Sequence, residues 1–399
     1  TVYRRISEIP AKVDLAVLSV RAELVPETLR ECIEAGVSGA VIISGGFSET
    51  GRGDLSQEIV RIAQSAKFPF IGPNCIGVYS PPHADSFFLS YERLIEPRPG
   101  GVALVSQSGG ILVDHMIKLT QENVGLSRAI SIGNKEVIDE VDLLRFLNRD
   151  DATTVIGLYL EGFKPGRGRD FIRAVERSDK PVVVLKSGKT PGGSKAVSSH
   201  TASIAGDHAV FREVVKASRV IEAENEKAFV SYCESLSAFT ERQVKNICII
   251  TASGGHGAIA ADLCYVSGLS NPDIPAGHRS ELKSMLSPSV RNIASLSNPI
   301  DMTGSAVDDD FIAAVRFFLD KDYVDCILLL LLPYLPGITS DIGARISQYV
   351  RERSKPVVVY MPRVDKYGIF IDGFEMNSVP VAHSVDAAVD MAKSLGDRR

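Results

Sequence analysis

The stretch VALVSQSGGILVDH, residues 102–115, decides the fold of this chain. It begins as an apolar, β-branched run, passes through a turn of serine and glycine, and becomes apolar again with helical spacing. A second stretch of the same form, ICIITASGGHGAIAAD, occupies residues 247–262. Each predicts a strand that enters a helix through a small-residue turn, which is the connection typical of parallel sheets.

The same alternation of short apolar runs and amphipathic segments continues along the whole chain. The other predicted strands lie at 13–20, 40–44, 68–72, 155–160, 181–186, 324–332 and 356–361. Amphipathic segments such as 26–35, 170–178 and 341–353 lie between them. This order predicts an α/β protein with parallel sheets and helices on both faces, whose ligands bind at the carboxyl ends of the strands.

Composition excludes several classes of protein. The chain has 399 residues, 45% of them hydrophobic, and a net charge of −5, so no polyanion-binding surface is indicated. No apolar run reaches the roughly 18–20 residues of a membrane span. The six cysteines form no CxxC pair, which favours buried free thiols, and no tightly bound metal is predicted. The chain opens with TVYRRISEIP, which is not a signal peptide, so we expect a soluble cytoplasmic protein.

Shifts in composition predict three domains. The first covers residues 1–98 and ends in a joint rich in proline and glycine. The second covers 99–222, a linker helix covers 223–243, and the third domain covers 244–399. The first domain has no glycine-rich strand–turn–helix before its first strand, so we expect an N-terminal segment of this kind to be missing. A small domain that is naturally truncated is the alternative.

The two turns of serine and glycine are candidate anion sites. Glycines allow backbone N–H groups to converge, and the following helix adds its positive N-terminal end, so a phosphate would fit each turn. The alternative is an ordinary strand-to-helix turn with a serine cap. The candidate phosphate-binding residues are Ser106, Gln107, Ser108, Gly109 and Gly110 in the first turn, and Ser253, Gly254, Gly255, His256 and Gly257 in the second.

His200 and Glu161 are the candidate catalytic residues. The segment KSGKTPGGSKAVSSHTASIAG, residues 186–206, is a long stretch of small residues that we expect to be a functional loop, with His200 within it. A histidine can attack a phosphoryl group through one ring nitrogen while an acceptor holds the other. Glu161 ends the strand VIGLYLEG and could be that acceptor. The alternatives are a solvated loop histidine and an acidic helix cap.

The sequence GPNCIG, residues 72–77, predicts a rigid turn after a strand, with backbone groups and Asn74 available to a ligand. Cys75 has no recognisable histidine or aspartate partner nearby in sequence, so we interpret it as structural or site-lining and not as a nucleophile.

Together, SQSGG, GPNCIG, the strand ending in LEG, SHTASIAG and NPIDMTGS at 298–305 resemble the motifs of the ADP-forming acetyl-CoA synthetases, which are related to succinyl-CoA synthetase. The resemblance covers essentially the whole chain. It implies a truncated Rossmann-like CoA-binding domain followed by two flavodoxin-like domains. The CoA-binding residues would include Val20, Arg21, Gly45, Gly46, Asn74, Cys75 and Ile76. Relatives tend to have proline where Arg21 stands, so the resemblance leaves an altered adenine contact open.

The resemblance also implies a mechanism. Phosphate cleaves acyl-CoA to an acyl phosphate, His200 takes the phosphoryl group, and ADP accepts it to become ATP, with Glu161 steadying the ring. The helices after the two serine–glycine turns would meet the phosphate from two sides. The chain has no ATP-grasp-like region, so ADP or ATP with Mg²⁺ is expected on an ATP-grasp beta subunit in a two-plus-two heterotetramer. A CoA-binding regulatory module and a nicotinamide-dependent dehydrogenase are the rival functions.

Overall fold

The computed structural model describes residues 1–89, 92–201, 208–239, 243–353 and 355–396, without the side chains of residues 198–201. The chain divides into two compact units, one made of Thr1–Thr120 and Gly125–Phe229, the other of Gln121–Val124 and Val230–Arg399. No helix of the described residues is long and apolar enough to cross a membrane.

The first unit contains two sheets. Its strands are β1 (Leu15–Leu18), β2 (Gly39–Ile42), β3 (Phe70–Ile71), β4 (Val78–Ser80), β5 (Ala84–Asp85), β6 (Pro99–Ser106), β7 (Leu126–Ser131), β8 (Val155–Leu160), β9 (Val182–Lys186) and β10 (Val220–Ala223). A parallel sheet has the order β1-β2-β3, and a seven-stranded sheet has the order β10-β9-β8-β6-β7-β4-β5. In the larger sheet β4 pairs antiparallel with β7 and with β5.

The helices of the first unit cover these sheets. They are α1 (Val25–Glu34), α2 (Gly53–Ala66), α3 (Gly109–Gln121), α4 (Glu140–Asn148), α5 (Arg167–Glu176), α6 (Pro191–Thr201) and α7 (His208–Lys216). The helix α8 (Glu226–Ala238) begins in the first unit and ends in the second. The small sheet shares a core with α1 and α2 through Leu29, Ile42 and Ile59. The central strands of the larger sheet are buried on both faces, as continuous apolar runs in parallel sheets are.

The second unit is built on one parallel sheet of five strands. These are β11 (Ile247–Thr251), β12 (Ile300–Asp301), β13 (Cys326–Leu330), β14 (Val357–Tyr360) and β15 (Val381–Ala382), in the order β12-β11-β13-β14-β15. Its helices are α9 (Gly254–Val266), α10 (Ala276–Met285), α11 (Asp308–Leu319), α12 (Ile342–Arg353), α13 (Gly368–Glu375) and α14 (Val385–Ser394).

The α/β class with parallel sheets is confirmed, and the boundaries at residues 98, 222 and 243 stay predictions. The strands β4 and β5, which lie before residue 98, hydrogen-bond into the seven-stranded sheet. That sheet therefore takes strands from both sides of the predicted joint, because β4 pairs with the edge of β7, a partner far away in sequence.

Candidate functional site

The turn after β6 is closed by its own side chains. The Ser106 hydroxyl accepts a hydrogen bond from the Ser108 backbone N–H at 3.1 Å and donates to the Ser108 carbonyl at 2.6 Å. Helix α3 begins at Gly109, where an added Cβ would lie 2.6 Å from the Ile76 Cγ2 atom. Only glycine fits so close to Ile76, so the first predicted phosphate turn packs directly against the GPNCIG segment.

Gln107 ties this turn to the end of β8. Its Oε1 accepts hydrogen bonds from the backbone N–H groups of Glu161 at 2.5 Å and Gly162 at 3.2 Å. Its Nε2 donates to the Gly162 carbonyl at 2.8 Å. Gln107 is buried, so three of its hydrogen bonds hold the backbone that carries Glu161. The side chain therefore supports Glu161 as well as lying in the predicted phosphate turn.

Two buried lysines bind the same backbone. Lys186, the last residue of β9, donates from Nζ to the Glu161 carbonyl at 2.8 Å, and Lys135 donates to the Gly162 carbonyl at 2.6 Å and to the Glu140 carboxylate at 2.9 Å. Burial lowers the pKa of Lys186 to about 8 and also lowers the pKa of Lys135. Sequence reasoning missed both. The signal for Lys186 was a lysine that ends the wholly apolar run PVVVL.

A cleft of about 250 Å³ in the first unit brings together eight of the predicted site residues. Glu161, which is buried, lies on its wall together with the first serine–glycine turn and the GPNCIG segment. The predicted site residues that line it are Asn74, Cys75, Ile76, Gln107, Ser108, Gly109, Gly110 and Glu161. The carboxyl ends of β3, β6 and β8 thus meet at one cleft, as expected for an α/β fold.

Asn74 and Gly133 form another part of this cleft. An added Cβ on Gly133 would lie 2.3 Å from the Pro73 and Asn74 carbonyl oxygens, so the turn after β7 contacts the GPNCIG backbone. The Asn74 amide donates to the Asn134 side chain at 3.2 Å. Asn134 was not singled out from sequence, because only the packing of two distant turns brings it to Asn74.

Cys75 is held as a buried thiol. Its sulfur contacts the Ile42 carbonyl at 3.3 Å, and burial raises its pKa to about 12. A thiol with so high a pKa is almost entirely protonated near neutral pH, and the thiolate is the nucleophilic form. Cys75 therefore suits a structural role in the wall of the cleft.

The residues predicted at the ends of β1 and β2 do not line the cleft. Val20 and Arg21 are exposed in the turn after β1, and the Val20 carbonyl accepts a 2.5 Å hydrogen bond from Ser44. Gly45 and Gly46 follow β2, and the Gly46 N–H donates to the Glu49 carboxylate at 2.5 Å.

Glu49 therefore occupies the backbone N–H groups of Gly46 and Phe47 in this turn. Burial opposes its ionisation, but hydrogen bonds from Asn134 and from the backbone of Gly46 and Phe47 outweigh burial and lower the pKa of Glu49. The carboxylate is thus held charged at this turn.

The second serine–glycine turn lies in the second unit, at the start of α9. The Ser253 N–H donates to the Thr251 hydroxyl at 3.1 Å, and the Ser253 hydroxyl lies 3.0 Å from His256 Nδ1. An added Cβ on Gly254 would lie 3.0 Å from the Asp301 carboxylate. The turn thus has the predicted strand–turn–helix form, with an acidic side chain beside it.

His200 lies in α6, and its side chain is outside the described residues, as are residues 202–207. The expectation of a continuous loop over 186–206 is wrong for its central part, which is helical. Pro191 stands at the first helical position, and the Thr190 hydroxyl accepts a hydrogen bond from the Gly193 N–H at 3.1 Å. Proline at the start and a threonine cap explain why this glycine-containing segment forms a helix.

Two family models match the chain. A CoA binding domain matches residues 1–81, and a succinyl-CoA ligase like flavodoxin domain matches residues 99–236.

Known proteins match it over most of its length. A Pyrococcus furiosus protein named acetate–CoA ligase [ADP-forming] II subunit alpha is 33% identical, over 99% of this chain and 87% of its own length. An Archaeoglobus fulgidus acetate–CoA ligase [ADP-forming] I is 36% identical over 83% of this chain, which spans only 47% of that longer protein. A solved structure of acetyl-coenzyme A synthetase 1 from Ca. Korarchaeum cryptofilum, in complex with phosphate and ADP, superposes with a TM-score of 0.90 at 32% identity, covering 98% of this chain and 84% of that one.

Proposed function

Because the chain belongs to the family of the alpha subunits of ADP-forming acetate–CoA ligases, we propose that it is the CoA-handling, histidine-phosphorylated subunit of an acyl-CoA synthetase of this type. The reaction is the reversible conversion of acyl-CoA, ADP and phosphate to a carboxylic acid, ATP and CoA. The observation that carries the proposal is the single cleft lined by the GPNCIG segment, the Ser106 turn and Glu161.

The first step takes place in this cleft. An oxygen of inorganic phosphate attacks the thioester carbonyl, the C–S bond breaks, and CoA leaves as the thiol after taking a proton. The product is an acyl phosphate. The N-terminal end of α3 and its backbone N–H groups at 109 and 110 supply positive charge beside the phosphate, which is the electrostatic stabilisation that such a step needs.

The second step transfers the phosphoryl group to His200. A ring nitrogen of His200 attacks phosphorus, the bond to the acyl oxygen breaks, and the carboxylate leaves. Glu161 accepts a hydrogen bond from the N–H of the other ring nitrogen, which fixes the tautomer and stabilises the positive ring, while Gln107 and Lys186 hold the backbone of Glu161 in place. The turn at the start of α9, including His256, is proposed as a second phosphate-binding turn, and it belongs to the second unit.

The last step moves the phosphoryl group from His200 to ADP, which becomes ATP. We assign ADP, ATP and Mg²⁺ to an ATP-grasp beta subunit, since relatives of this length are named alpha subunits. A two-plus-two heterotetramer in the cytoplasm is the assembly we propose. The domains at 1–98, 99–222 and 244–399, joined by the linker 223–243, divide CoA binding and phosphoryl transfer between them.

An assay of ATP formation tests the proposal. The chain, purified together with its ATP-grasp partner, is given acetyl-CoA, ADP, Mg²⁺ and phosphate, and ATP is followed by luciferase. We expect ATP from the wild type and from His83→Ala, whose histidine is exposed and does not line the cleft, and none from His200→Ala.

The rival function is a regulatory module that binds CoA without phosphoryl transfer. A module of this kind would bind CoA, as calorimetry would show, and would form no ATP as the wild type, as His83→Ala or as His200→Ala. That result, obtained with a folded complex and with several short acyl-CoA substrates, would replace the synthetase proposal.

A further inference from the structure

Two carboxylates and one imidazole, which are side chains that can bind a metal ion, lie close together in the second unit. None of the three residues was predicted to bind CoA or phosphate. Glu122, Glu375 and His383 each offer one oxygen or nitrogen atom, and these atoms lie within 4.8 Å of one another. Glu375 ends α13, His383 directly follows β15, and Glu122 belongs to the short segment Gln121–Val124 of the same unit.

His383 is oriented as a metal-binding histidine would be. Its Nδ1 lies 3.0 Å from the Met361 carbonyl, which can only accept, so Nδ1 carries the proton. The Nε2 lone pair then points to the cluster, and the Glu122 Oε2 atom lies 3.0 Å away from it. A backbone carbonyl that fixes the distal nitrogen of a histidine is the usual outer-shell arrangement at metal sites.

A buried carboxylate oxygen of Glu375 is a second observation that points to a bound cation. Its side chain is more than nine-tenths buried, and its Oε1 atom makes no hydrogen bond within the described part of the chain. A buried carboxylate oxygen without a donor costs free energy unless a positive charge meets it.

The Arg363 guanidinium lies beside the cluster, but it hydrogen-bonds to only two of the three side chains. Its Nη1 lies 2.5 Å from Glu122 Oε1 and 3.1 Å from His383 Nε2, but Nη2 is 3.9 Å from Glu375 Oε1. Burial and the Glu122 charge raise the pKa of Glu234, whose carboxylate accepts the Val381 N–H at 3.1 Å. Acceptors therefore outnumber donors around the three side chains.

We propose that Glu122, Glu375 and His383 bind one divalent transition-metal ion of the zinc class, with the Arg363 guanidinium moving aside. One imidazole nitrogen and two carboxylate oxygens are a ligand set that zinc accepts, and a fourth position stays open. Tetrahedral ligands at about 2.0–2.1 Å from zinc are separated by about 3.3 Å, close to the spacing of His383 and Glu122. The sequence does not reveal this set, because its members are widely spaced.

Equilibrium dialysis with radioactive Zn²⁺ alone tests the proposal on the full, EDTA-treated chain. We expect one zinc per wild-type chain, and binding weaker by about tenfold or more in His383→Ala and in the isosteric Glu375→Gln. Arg363→Met removes the competing cation and should bind zinc more tightly. His83→Ala, an exposed histidine outside the cluster, should bind as the wild type does.

Thermal unfolding supplies the second readout, because an ion that binds only the folded state raises the unfolding temperature. Zinc should raise it for the wild type and for Arg363→Met, and much less for His383→Ala. Absence of stoichiometric zinc from the wild type, or equal zinc affinity in the wild type, His383→Ala and Glu375→Gln, would overturn the site and leave an Arg363 ion-pair cluster. Neither result affects the ATP-formation assay.

Discussion

At the scale of single residues, the cleft depends on buried side chains that hydrogen-bond to the backbone that carries Glu161. Gln107 was predicted to bind phosphate, and in the structure its amide is engaged by the Glu161–Gly162 backbone. The amide oxygen accepts from two backbone N–H groups through its two lone pairs, and the amide nitrogen donates to one carbonyl, so one side chain matches all three backbone groups of this corner. We therefore assign Gln107 a positioning role towards Glu161.

Gln107→Ala should slow phosphorylation of His200 by about 10²-fold and lower the free energy of unfolding by about 1–3 kcal/mol, because buried backbone groups lose their partners. Rapid-quench labelling and urea unfolding measure the two effects. Gln64→Ala, on an exposed position of α2, is the control and should change neither. A wild-type labelling rate in Gln107→Ala would remove the positioning role.

Burial of Lys186 makes the free energy of unfolding depend on pH. Its pKa is about 8 in the folded chain against an ordinary 10.5, because burial disfavours the charged form. Between these values the unfolded state binds more protons, so the free energy of unfolding should rise with pH. Relative to Lys186→Met, we expect the wild type to gain roughly 3 kcal/mol from pH 7.5 to 10.5.

Urea unfolding across this pH range measures the difference. Lys195→Met, an exposed lysine of α6, is the control, and its difference from the wild type should stay constant. A constant difference for Lys186→Met as well would mean that Lys186 is not buried as a charged group in the folded chain.

At the scale of elements, the strands and their turns could be predicted from sequence because each depends on local signals. The apolar runs, the serine–glycine turns and the GPNCIG turn all appear where expected. The contacts between turns could not be predicted. Gly133 against Asn74, and Gln107 against Glu161, join segments far apart in the chain, and only packing brings them together.

Two local features also differ from expectation. The segment around His200 is helical because proline and threonine start a helix there, which outweighs its glycines. The short strands β4 and β5 were not among the predicted strands; β4 pairs with β7 and β5 pairs with β4, so a contact distant in sequence places them in the seven-stranded sheet.

Helix α4 provides a test at this scale. The Asp139 carboxylate caps its first turn through the Val141 and Asp142 N–H groups, and it pairs with Arg167 at 2.5 and 2.6 Å. Burial opposes ionisation, but these bonds outweigh it and lower the pKa of Asp139. Its stabilising contribution is therefore present at neutral pH and lost as the pH falls below the ordinary pKa of an aspartate.

Asp139→Ala should lower the free energy of unfolding by about 2 kcal/mol at pH 7, and by less in acid. Chemical unfolding at pH 7 and at pH 3, which is below the ordinary aspartate pKa of 3.8, measures this. Asp151→Ala, at an exposed position just beyond α4, should stay within about 0.5 kcal/mol of the wild type. Equal losses for the two variants would exclude a special role for the cap.

At the scale of the whole molecule, two units carry the two predicted phosphate turns. The first unit holds the cleft with Glu161, and the second holds the turn at Ser253 and the proposed metal cluster. In the proposed function, a phosphoryl group passes from this cleft through His200 to a nucleotide on another subunit. Positioning and charge, more than covalent chemistry by the protein, determine the rate of such a transfer.

The most direct test of this account is the site of phosphorylation. The chain, co-purified with its ATP-grasp partner, is incubated with radiolabelled ATP and Mg²⁺, and the label is examined for acid lability and mapped by mass spectrometry. We predict an acid-labile, base-stable phosphate on His200, absent from His200→Ala and greatly slowed in Glu161→Gln. An unlabelled wild-type chain in a folded complex, or a label on another residue that persists in His200→Ala, would contradict the account.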